Sequence, residues 1–369
     1  MRRPAKSGIV TAVALTVLVL AGWACTTTPR FRVWWTLRRM RQPADVTRVE
    51  RWLRAAGLAT QLDPIDAVTS LVRLGAPAAP WLVRAFETPD TDVKAAAFET
   101  LVRIGRPAVP ALIAALKDRD SHVRGVAACA LGEIGPAAKA AVPALIAALK
   151  DKGPAVGWSA ARALGDIGPA AVTALVAALE DKESTVREFA AWALGNIGPA
   201  AKAAVPALVA ALKDEAPGIR FCAVWALGEI GPDAKDAVPA LVAALKDKTP
   251  DMRSCAAEAL GHIGPAAKHA VPALIAALKD KEPDVRSGAA WALGEIGPAT
   301  KDVVPALITA LKDKGPAVRS NAAGALGDIG PTAKAAVPAL VNAQADKDDD
   351  VRDAAAKALK KIRPAPPKP

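Results

Sequence analysis

A six-residue pattern, Leu-Gly-x-Ile-Gly-Pro, recurs along most of this 369-residue chain and constrains its fold more than any other feature. Copies start every 33 residues, or after 30 in one interval, at Leu131, Leu164, Leu194, Leu227, Leu260, Leu293 and Leu326. Weaker copies start at Leu71, Leu101 and Leu359. A period of this length is typical of a stack of similar supersecondary units, each of which buries its apolar surface against its neighbours.

Each repeat predicts a pair of helices. In one repeat, an apolar first helix runs from Val238 to Leu245, a polar turn covers Lys246 to Pro250, and a second helix runs from Asp251 to Ile263. Gly264 is expected to cap the second helix in the left-handed conformation, and Pro265 to prevent its continuation. Neither helix can bury its apolar face alone. We therefore predict an all-α fold in which antiparallel hairpins stack as a superhelical α-solenoid over residues 58–362.

The positive charge of the chain is concentrated at its N-terminal end. Residues 1–57 contain eleven Lys and Arg against two acids, whereas residues 58–369 contain 37 bases and 35 acids, a net charge of +2. A surface that binds nucleic acid carries a basic patch or groove. The near-neutral repeats therefore argue against a nucleic-acid partner, and the N-terminal charge suits an anionic membrane.

Residues 1–25 have the layout of a secretory signal or a membrane anchor. Basic residues precede an uncharged, mostly apolar run from Gly8 to Ala24. This run is at the short limit for spanning a bilayer, so a cleaved signal and a retained anchor helix both fit. It ends at Cys25 in Leu-Ala-Gly-Trp-Ala-Cys, which resembles a bacterial lipoprotein processing site in which the cysteine would be acylated. A cysteine that merely ends an anchor helix fits as well.

Residues 26–57 are predicted to be a basic membrane-proximal segment. Arginines interleave with aromatic residues at Arg30, Phe31, Arg32, Trp34, Trp35, Arg38, Arg39 and Arg41. Such a pattern is expected where a segment lies on anionic headgroups. We predict a membrane-associated protein of the bacterial cell envelope. The side of the membrane stays open, because basic residues flank the apolar run at both ends. The tail, residues 363–369, is predicted to be disordered.

Over about residues 77–362 the chain resembles HEAT repeats, in particular the short HEAT-like type of phycobilisome lyases. An Asp in the turn is followed six residues later by an Arg, as in Asp118 and Arg124, Asp181 and Arg187, Asp280 and Arg286, and Asp346 and Arg352. The resemblance implies that these residues form a ladder of hydrogen-bonded charges between repeats. Gly157 stands where an Arg should follow Asp151. One rung is therefore missing, and we expect a local bend there.

One side of the second helix carries the variable residues. When the repeated leucine is position 0, positions −8, −7, −4, −3 and +3 share the buried side, and positions −9, −6, −5, −2 and +2 share the other. The resemblance implies that this other side lines a concave groove. Aromatic residues lie on it at Trp158, Phe189, Trp192, Phe221, Trp225 and Trp291.

Two interpretations of these rings are open: they contact a partner, or they cover small residues of adjacent helices. Glu, Arg, Gly and Lys at position −2 of other repeats show that this position need not be buried, which favours the contact surface. Position +2 is mostly acidic, with Glu229 and Glu295 beside the indoles. These acids would suit a basic partner, but an ordinary solvated helix face explains them as well and is the more common reason for such a pattern. Acids in the first helical turn, such as Asp251 and Asp284, are attributed to the helix dipole.

No catalytic site is predicted. Deoxyhypusine hydroxylase, a HEAT-repeat di-iron enzyme, binds metal through repeated His-Glu pairs, and this chain has none around His122, His262 or His269. It also lacks a Gly-rich phosphate loop and a nucleophile motif. We therefore predict a non-catalytic protein–protein interaction scaffold without metal or cofactor. The alternative is an accessory subunit like those of bilin or phycobiliprotein lyases, which share the repeat type.

Overall fold

The computed structural model describes residues 71–87, 91–298 and 301–362, and every regular element in these residues is a helix. The predictions for residues 1–25, including acylation of Cys25, and for residues 26–57 and 363–369 lie outside the described residues. Helices alternate between short and long members of successive hairpins, which gives the predicted α-solenoid fold.

Odd-numbered α-helices are the first helices of the hairpins: α1 Ala79–Arg84, α3 Val109–Ala115, α5 Val142–Ala148, α7 Val172–Ala178, α9 Val205–Ala211, α11 Val238–Ala244, α13 Val271–Ala277, α15 Val303–Ala310 and α17 Val337–Ala343. Even-numbered α-helices are the second helices: α2 Thr91–Ile104, α4 Ser121–Ile134, α6 Pro154–Ile167, α8 Ser184–Ile197, α10 Pro217–Ile230, α12 Pro250–Ile263, α14 Pro283–Ile296, α16 Pro316–Ile329 and α18 Asp349–Ile362. The predicted helix bounds in the repeat at 238–263 are confirmed to within one residue.

Glycine and proline separate one hairpin from the next. Helix α12 ends at Ile263, and its cap Gly264 has φ 66° and ψ −142°. This region is essentially restricted to glycine, but it differs in ψ from the left-handed helical conformation that we predicted. Pro265 lies in the first turn of a 3-10 helix, Gly264–Ala270, which leads into α13. Proline suits that position because its fixed φ is helical and its missing N–H leaves no hydrogen bond unmade.

Small side chains let successive second helices approach closely. A Cβ added to Gly228 of α10 would lie 3.1 Å from the Cα atom of Ala259 in α12, and one added to Gly294 of α14 would lie 2.7 Å from the Cα atom of Ala325. The glycine that follows the repeated leucine therefore provides space for the next helix. This close packing explains why the repeat keeps a glycine in the last turn of the second helix despite its low helix propensity.

Arginine residues link each repeat to the next. The Arg286 guanidinium donates to the Asp280 carbonyl (2.8 Å) in its own turn and to both carboxylate oxygens of Asp313 (2.7 and 2.9 Å) in the next turn. The same carboxylate accepts the Gly315 N–H at 2.8 Å. The ladder is confirmed, with further rungs at Arg124–Asp151, Arg187–Asp214, Arg253–Asp280 and Arg319–Asp346.

One rung is interrupted although both of its residues are present. Arg220 donates to the carbonyls of Asp214 and Glu215 (2.9 and 3.0 Å), but within residues 91–298 and 301–362 it reaches no carboxylate. Asp247, its expected partner, instead accepts the N–H and the hydroxyl of Thr249, at 2.8 and 2.7 Å. The Thr249 hydroxyl occupies the Oδ1 acceptor that an arginine would use, so it competes with the rung.

The chain divides into two compact units between Ile167 and Gly168. Gly157, at the missing rung, lies in α6, the last helix of the first unit. The bend expected there remains a prediction.

Three helical stretches, Ser121–Ala148, Ala155–Ala178 and Ser184–Ala211, are long and apolar enough to cross a membrane by length and composition. Each is a second helix joined through a 3-10 helix to the following first helix. Their valines and leucines, such as Val186 and Leu194, are buried between helices of the repeats. Their hydropathy therefore arises from the alanine-rich packing surfaces of the hairpins.

Candidate protein-interaction face

The side of the second helices that carries positions −6, −2 and +2, here called the second-helix face, is open to solvent. Residues at position +2, including Glu229 and Glu295, are exposed in the repeats from Glu133 to Asp328. Residues at position −5 are less exposed than those at position +2: Cys255 is buried, and Phe189 and Cys222 are half-buried. Cys255 nevertheless lines the groove described next, so position −5 lies at the border between the helix interface and the open face.

In the second unit the face contains a groove of about 640 Å³ across helices α10 to α16. Aromatic rings and carboxylates line it, notably Phe221, Trp225, Trp291, Asp251, Glu258 and Asp284. None of the lining residues is Lys or Arg. The sequence analysis missed Glu258 and His262 as site residues and explained Asp251 and Asp284 by the helix dipole alone. The structure adds all four to the groove.

The indoles lie over glycines of the preceding helix. A Cβ at Gly195 would come within 2.4 Å of Cζ3 of Trp225, and a Cβ at Gly261 equally close to Cζ3 of Trp291. Both indoles are nevertheless partly exposed. The sequence left two roles open for these rings, cover for small residues and a surface for a partner. Each ring covers a small residue of the adjacent helix and presents its remaining surface to the groove or solvent.

Two aromatic clusters result. The rings of Trp192 and Trp225 stack at 6.3 Å between centroids, with planes 20° apart. Trp291 meets His262 edge to face, with centroids 5.0 Å apart. Such arrangements are favourable beyond the area that they bury.

The other predicted aromatic residues are placed differently. Phe221 has 44% of its surface exposed and lines the groove. Phe189 is half-buried on α8. Trp158 is 46% exposed on α6 and belongs to the first unit. The structure thus brings Phe221, Trp225 and Trp291 to one groove, stacks Trp192 on Trp225, and leaves Trp158 in a separate unit.

In each unit some of the carboxylates at position +2 are paired with basic side chains. Arg162 lies 3.2 Å from Glu133 and 3.6 Å from Asp166, and Lys361 lies 2.8 Å from Asp328. Among the described residues, Glu229 and Glu295 form neither a hydrogen bond nor an ion pair. The carboxylates beside the two groove indoles are therefore available to a ligand.

Charge is segregated along the second unit. Helices α8, α10, α12, α14 and α16 contain seven carboxylates and no lysine, and their five arginines all occupy the ladder position. The lysines between residues 182 and 347 all lie in the turns and 3-10 connections. The second-helix face of this unit is therefore acidic, although the unit as a whole is close to neutral.

Thiol chemistry is suppressed at the face. Burial raises the pKa of Cys222 to about 11 and that of Cys255 to about 12. A reactive cysteine needs a lowered pKa and access to solvent. In the described residues no group of three or more His, Cys, Asp or Glu side chains could hold a metal ion.

Comparison with known proteins identifies the repeats. The family model for HEAT repeats matches residues 64–128, 109–187, 172–260 and 271–360, and the chain belongs to this family. The model for the PBS lyase HEAT-like repeat matches residues 253–280. No match was found among curated proteins.

Solved structures with similar folds include several classes of protein. The chain is 16% identical to the solved Kap95 of a Kap95:Nup1 complex, with a TM-score of 0.56, over 98% of this chain and 60% of that one. An engineered protein is 26% identical over 90% and 98% of the two chains, with a TM-score of 0.49. The complex of CpcE and CpcF of phycocyanin lyase from Nostoc sp. PCC7120 is 26% identical over 69% and 94%, with a TM-score of 0.38. The first likeness supports the α-solenoid fold.

Proposed function

We propose that this protein is a non-catalytic interaction scaffold, held at a membrane by its N-terminal residues, which binds a basic segment of a protein partner on the second-helix face. The observation that carries the proposal is the groove across α10 to α16. It combines exposed indole surface with carboxylates and contains no Lys or Arg.

The groove chemistry suits lysine or arginine side chains. Trp225 and Glu229 lie four residues apart on α10, and Trp291 and Glu295 have the same spacing on α14, so each indole has a carboxylate on the same helix face. A cation above an indole gains about 0.5–2 kcal/mol from the ring and a further contribution from the carboxylate. Two such pairs would make a strong anchor for a basic segment.

A lyase-like accessory subunit is the second candidate, favoured by the PBS lyase HEAT-like match at residues 253–280. Bilins carry propionate carboxylates, which need basic partners, whereas the groove lining is acidic. The charge therefore favours a cationic ligand. If the purified protein carried a bound chromophore, the lyase-like accessory subunit would become the first candidate.

The test is a pull-down from native membranes with mass spectrometry. Wild type is compared with the triple variant Trp192→Ala, Trp225→Ala and Trp291→Ala, and with Trp81→Ala, which removes an indole from first helix α1. We expect the partner to be lost with the triple variant and kept with Trp81→Ala, while circular dichroism shows unchanged helicity.

Because the indoles also pack on glycines, a second variant separates binding from packing. Glu229→Gln and Glu295→Gln together remove two exposed carboxylates that form no hydrogen bond or ion pair among the described residues. We expect this variant to weaken capture at least several-fold with no loss of stability. Full capture by both variants would exclude the groove as the binding site.

A further inference from the structure

Helix α12 presents two carboxylates to the groove from the same side of the helix. Asp251 and Glu258 both line the groove, and both are exposed. They are seven residues apart, so their side chains leave the helix in directions that differ by about 20° and lie about 10 Å apart along its axis. Within the part of the chain that the structure describes, neither forms an ion pair. A ligand that neutralises both carboxylates therefore needs two cations about 10 Å apart.

An indole lies beside the second of these carboxylates. Successive second helices are offset by about one repeat: the Ser254 hydroxyl on α12 lies 3.3 Å from the carbonyl oxygen of Asp284 on α14, which is 30 residues later. The Trp291 ring lies over Gly261, also 30 residues away. Because Gly261 follows Glu258 by three residues on α12, the ring and the Glu258 carboxylate are neighbours on one face.

A second ring accompanies the first carboxylate. Phe221 lies on α10, 30 residues before Asp251, and α10 and α12 have nearly the same offset, because a Cβ added to Gly228 would lie 3.1 Å from the Cα atom of Ala259. Phe221 and Asp251 therefore lie at the same level of the two helices, and both line the groove. With 44% of its surface exposed, the Phe221 ring is accessible to a ligand.

The floor between the two ring–carboxylate pairs is low and acidic. A Cβ added to Gly288 would lie 3.6 Å from Cγ of Glu258, so this part of α14 leaves room above the Glu258 side chain. Asp284 lies at the level of Ser254, between Asp251 and Glu258, and contributes a third carboxylate to the lining. Since no Lys or Arg lines the groove, these charges favour a cationic chain along α12.

We propose that the groove binds a segment of the partner with arginines at positions i and i+3, in a polyproline-II conformation along α12. One arginine binds Asp251 beside Phe221, and the other binds Glu258 beside Trp291. This rests on the proposed function, because it assigns the contacts of the basic segment at that same site. A polyproline-II chain has three residues per turn and rises about 3.1 Å per residue, so side chains at i and i+3 project from the same side about 9 Å apart. A guanidinium can stack on a ring while it donates to a carboxylate.

The experiment uses the full chain and fluorescein-labelled peptides with two arginines in a polyproline host, which fixes the distance between them. In one peptide the arginines are three residues apart, and in the other they are six residues apart, so the two peptides have the same composition and charge. Fluorescence anisotropy measures their affinities. We expect the peptide with the three-residue spacing to bind about 5- to 30-fold more tightly, the gain from placing a second cation over a ring.

Variants of the groove locate the two arginine sites. Asp251→Asn and Glu258→Gln should each reduce the affinity for the three-residue spacing to that for the six-residue spacing. Asp233→Asn is the matched control, because it removes an exposed carboxylate from the 3-10 helix Gly231–Ala237, outside the groove. It should leave the spacing preference intact. Equal affinity of wild type for both peptides, or a preference that persists in both groove variants, would overturn the proposal.

The pull-down distinguishes failure of this inference from failure of the proposed function. If the peptides show no spacing preference but the partner is still lost with the three tryptophans, the groove is a partner site and the two-arginine register is wrong. If the peptides show no preference and the triple Trp→Ala variant also retains the partner, both proposals are wrong.

Discussion

Truncation of a ladder arginine tests how strongly one rung joins two repeats, and the interrupted rung provides a matched control. Arg286 makes hydrogen bonds to the Asp313 carboxylate and to the carbonyls of Asp280 and Lys281. Its side chain is 6% exposed and that of Asp313 is 15% exposed. Among the described residues, Arg220 makes only its two hydrogen bonds to backbone carbonyls. Arg286→Ala therefore leaves a largely buried carboxylate without its cation, whereas Arg220→Ala does not.

The difference in magnitude follows from these contacts. Breaking one partner of a buried ion pair costs about 3–5 kcal/mol, and a net hydrogen bond to a backbone carbonyl contributes about 1 kcal/mol. We expect Arg286→Ala to lower the free energy of unfolding by about 3–5 kcal/mol and Arg220→Ala by about 1–2 kcal/mol. Urea unfolding followed by circular dichroism measures both.

A repeat array can unfold in parts, so hydrogen exchange of α10 and α14 serves as a second measurement. If Arg286→Ala and Arg220→Ala lower the free energy of unfolding by amounts that agree within about 0.5 kcal/mol, the usual precision of such differences, the bond between the arginine and the carboxylate does not provide most of the stability of a rung. Thr249→Ala is the converse change. It frees the Asp247 carboxylate for Arg220, and because the Thr249 side chain does not cap α12, nothing else is lost. We expect a gain of about 1 kcal/mol.

Gly261→Ala should destabilise the protein by about 1–3 kcal/mol, because the added Cβ would displace the Trp291 ring. Gly324 has open space around it, so Gly324→Ala should stabilise the helix by about 0.5–1 kcal/mol. Urea unfolding measures both changes. Cys222 and Cys255 should react with iodoacetamide far more slowly at pH 8 in the folded protein than in urea, by peptide mass spectrometry. The arginine hydrogen bond lowers the pKa of ladder aspartates such as Asp280. Their stabilisation is therefore full above the unfolded-state Asp pKa of about 4 and falls as pH drops through the lower folded pKa, so urea midpoints should decrease below about pH 4.

The fold could be predicted because its signals are local and repeated. The Gly-Pro pair that follows the isoleucine of each repeated pattern, such as Ile263, ends the second helix. The spacing of apolar residues along that helix identifies its buried side. Both depend only on residues within one repeat. Our prediction for Gly264 was wrong in ψ, because Gly264 and Pro265 together start a 3-10 helix and the glycine must adopt the conformation that leads into it.

Features that depend on contacts between two repeats were harder to predict from the sequence. The turn at Asp247 retains the ladder pattern, yet its carboxylate accepts the Thr249 hydroxyl and Arg220 does not reach it. Burial of Cys255 at position −5 likewise comes from the neighbouring helix. At the site, the indoles and acids could be placed on one face from the sequence, but the packing of Trp291 over Gly261 requires the register between two helices.

Packing between successive second helices does not by itself explain the tryptophans at position −2. The glycine after the repeated leucine is present in every complete repeat, including those whose following helix has no tryptophan. At Gly294 the space is filled by Ala325, and position −2 of that helix is Gly324, which has nothing within 4 Å of an added Cβ. The stack therefore forms without a side chain at position −2. Trp225 and Trp291 occupy a place that packing permits but does not require, which supports the proposal that their exposed surface serves a binding partner.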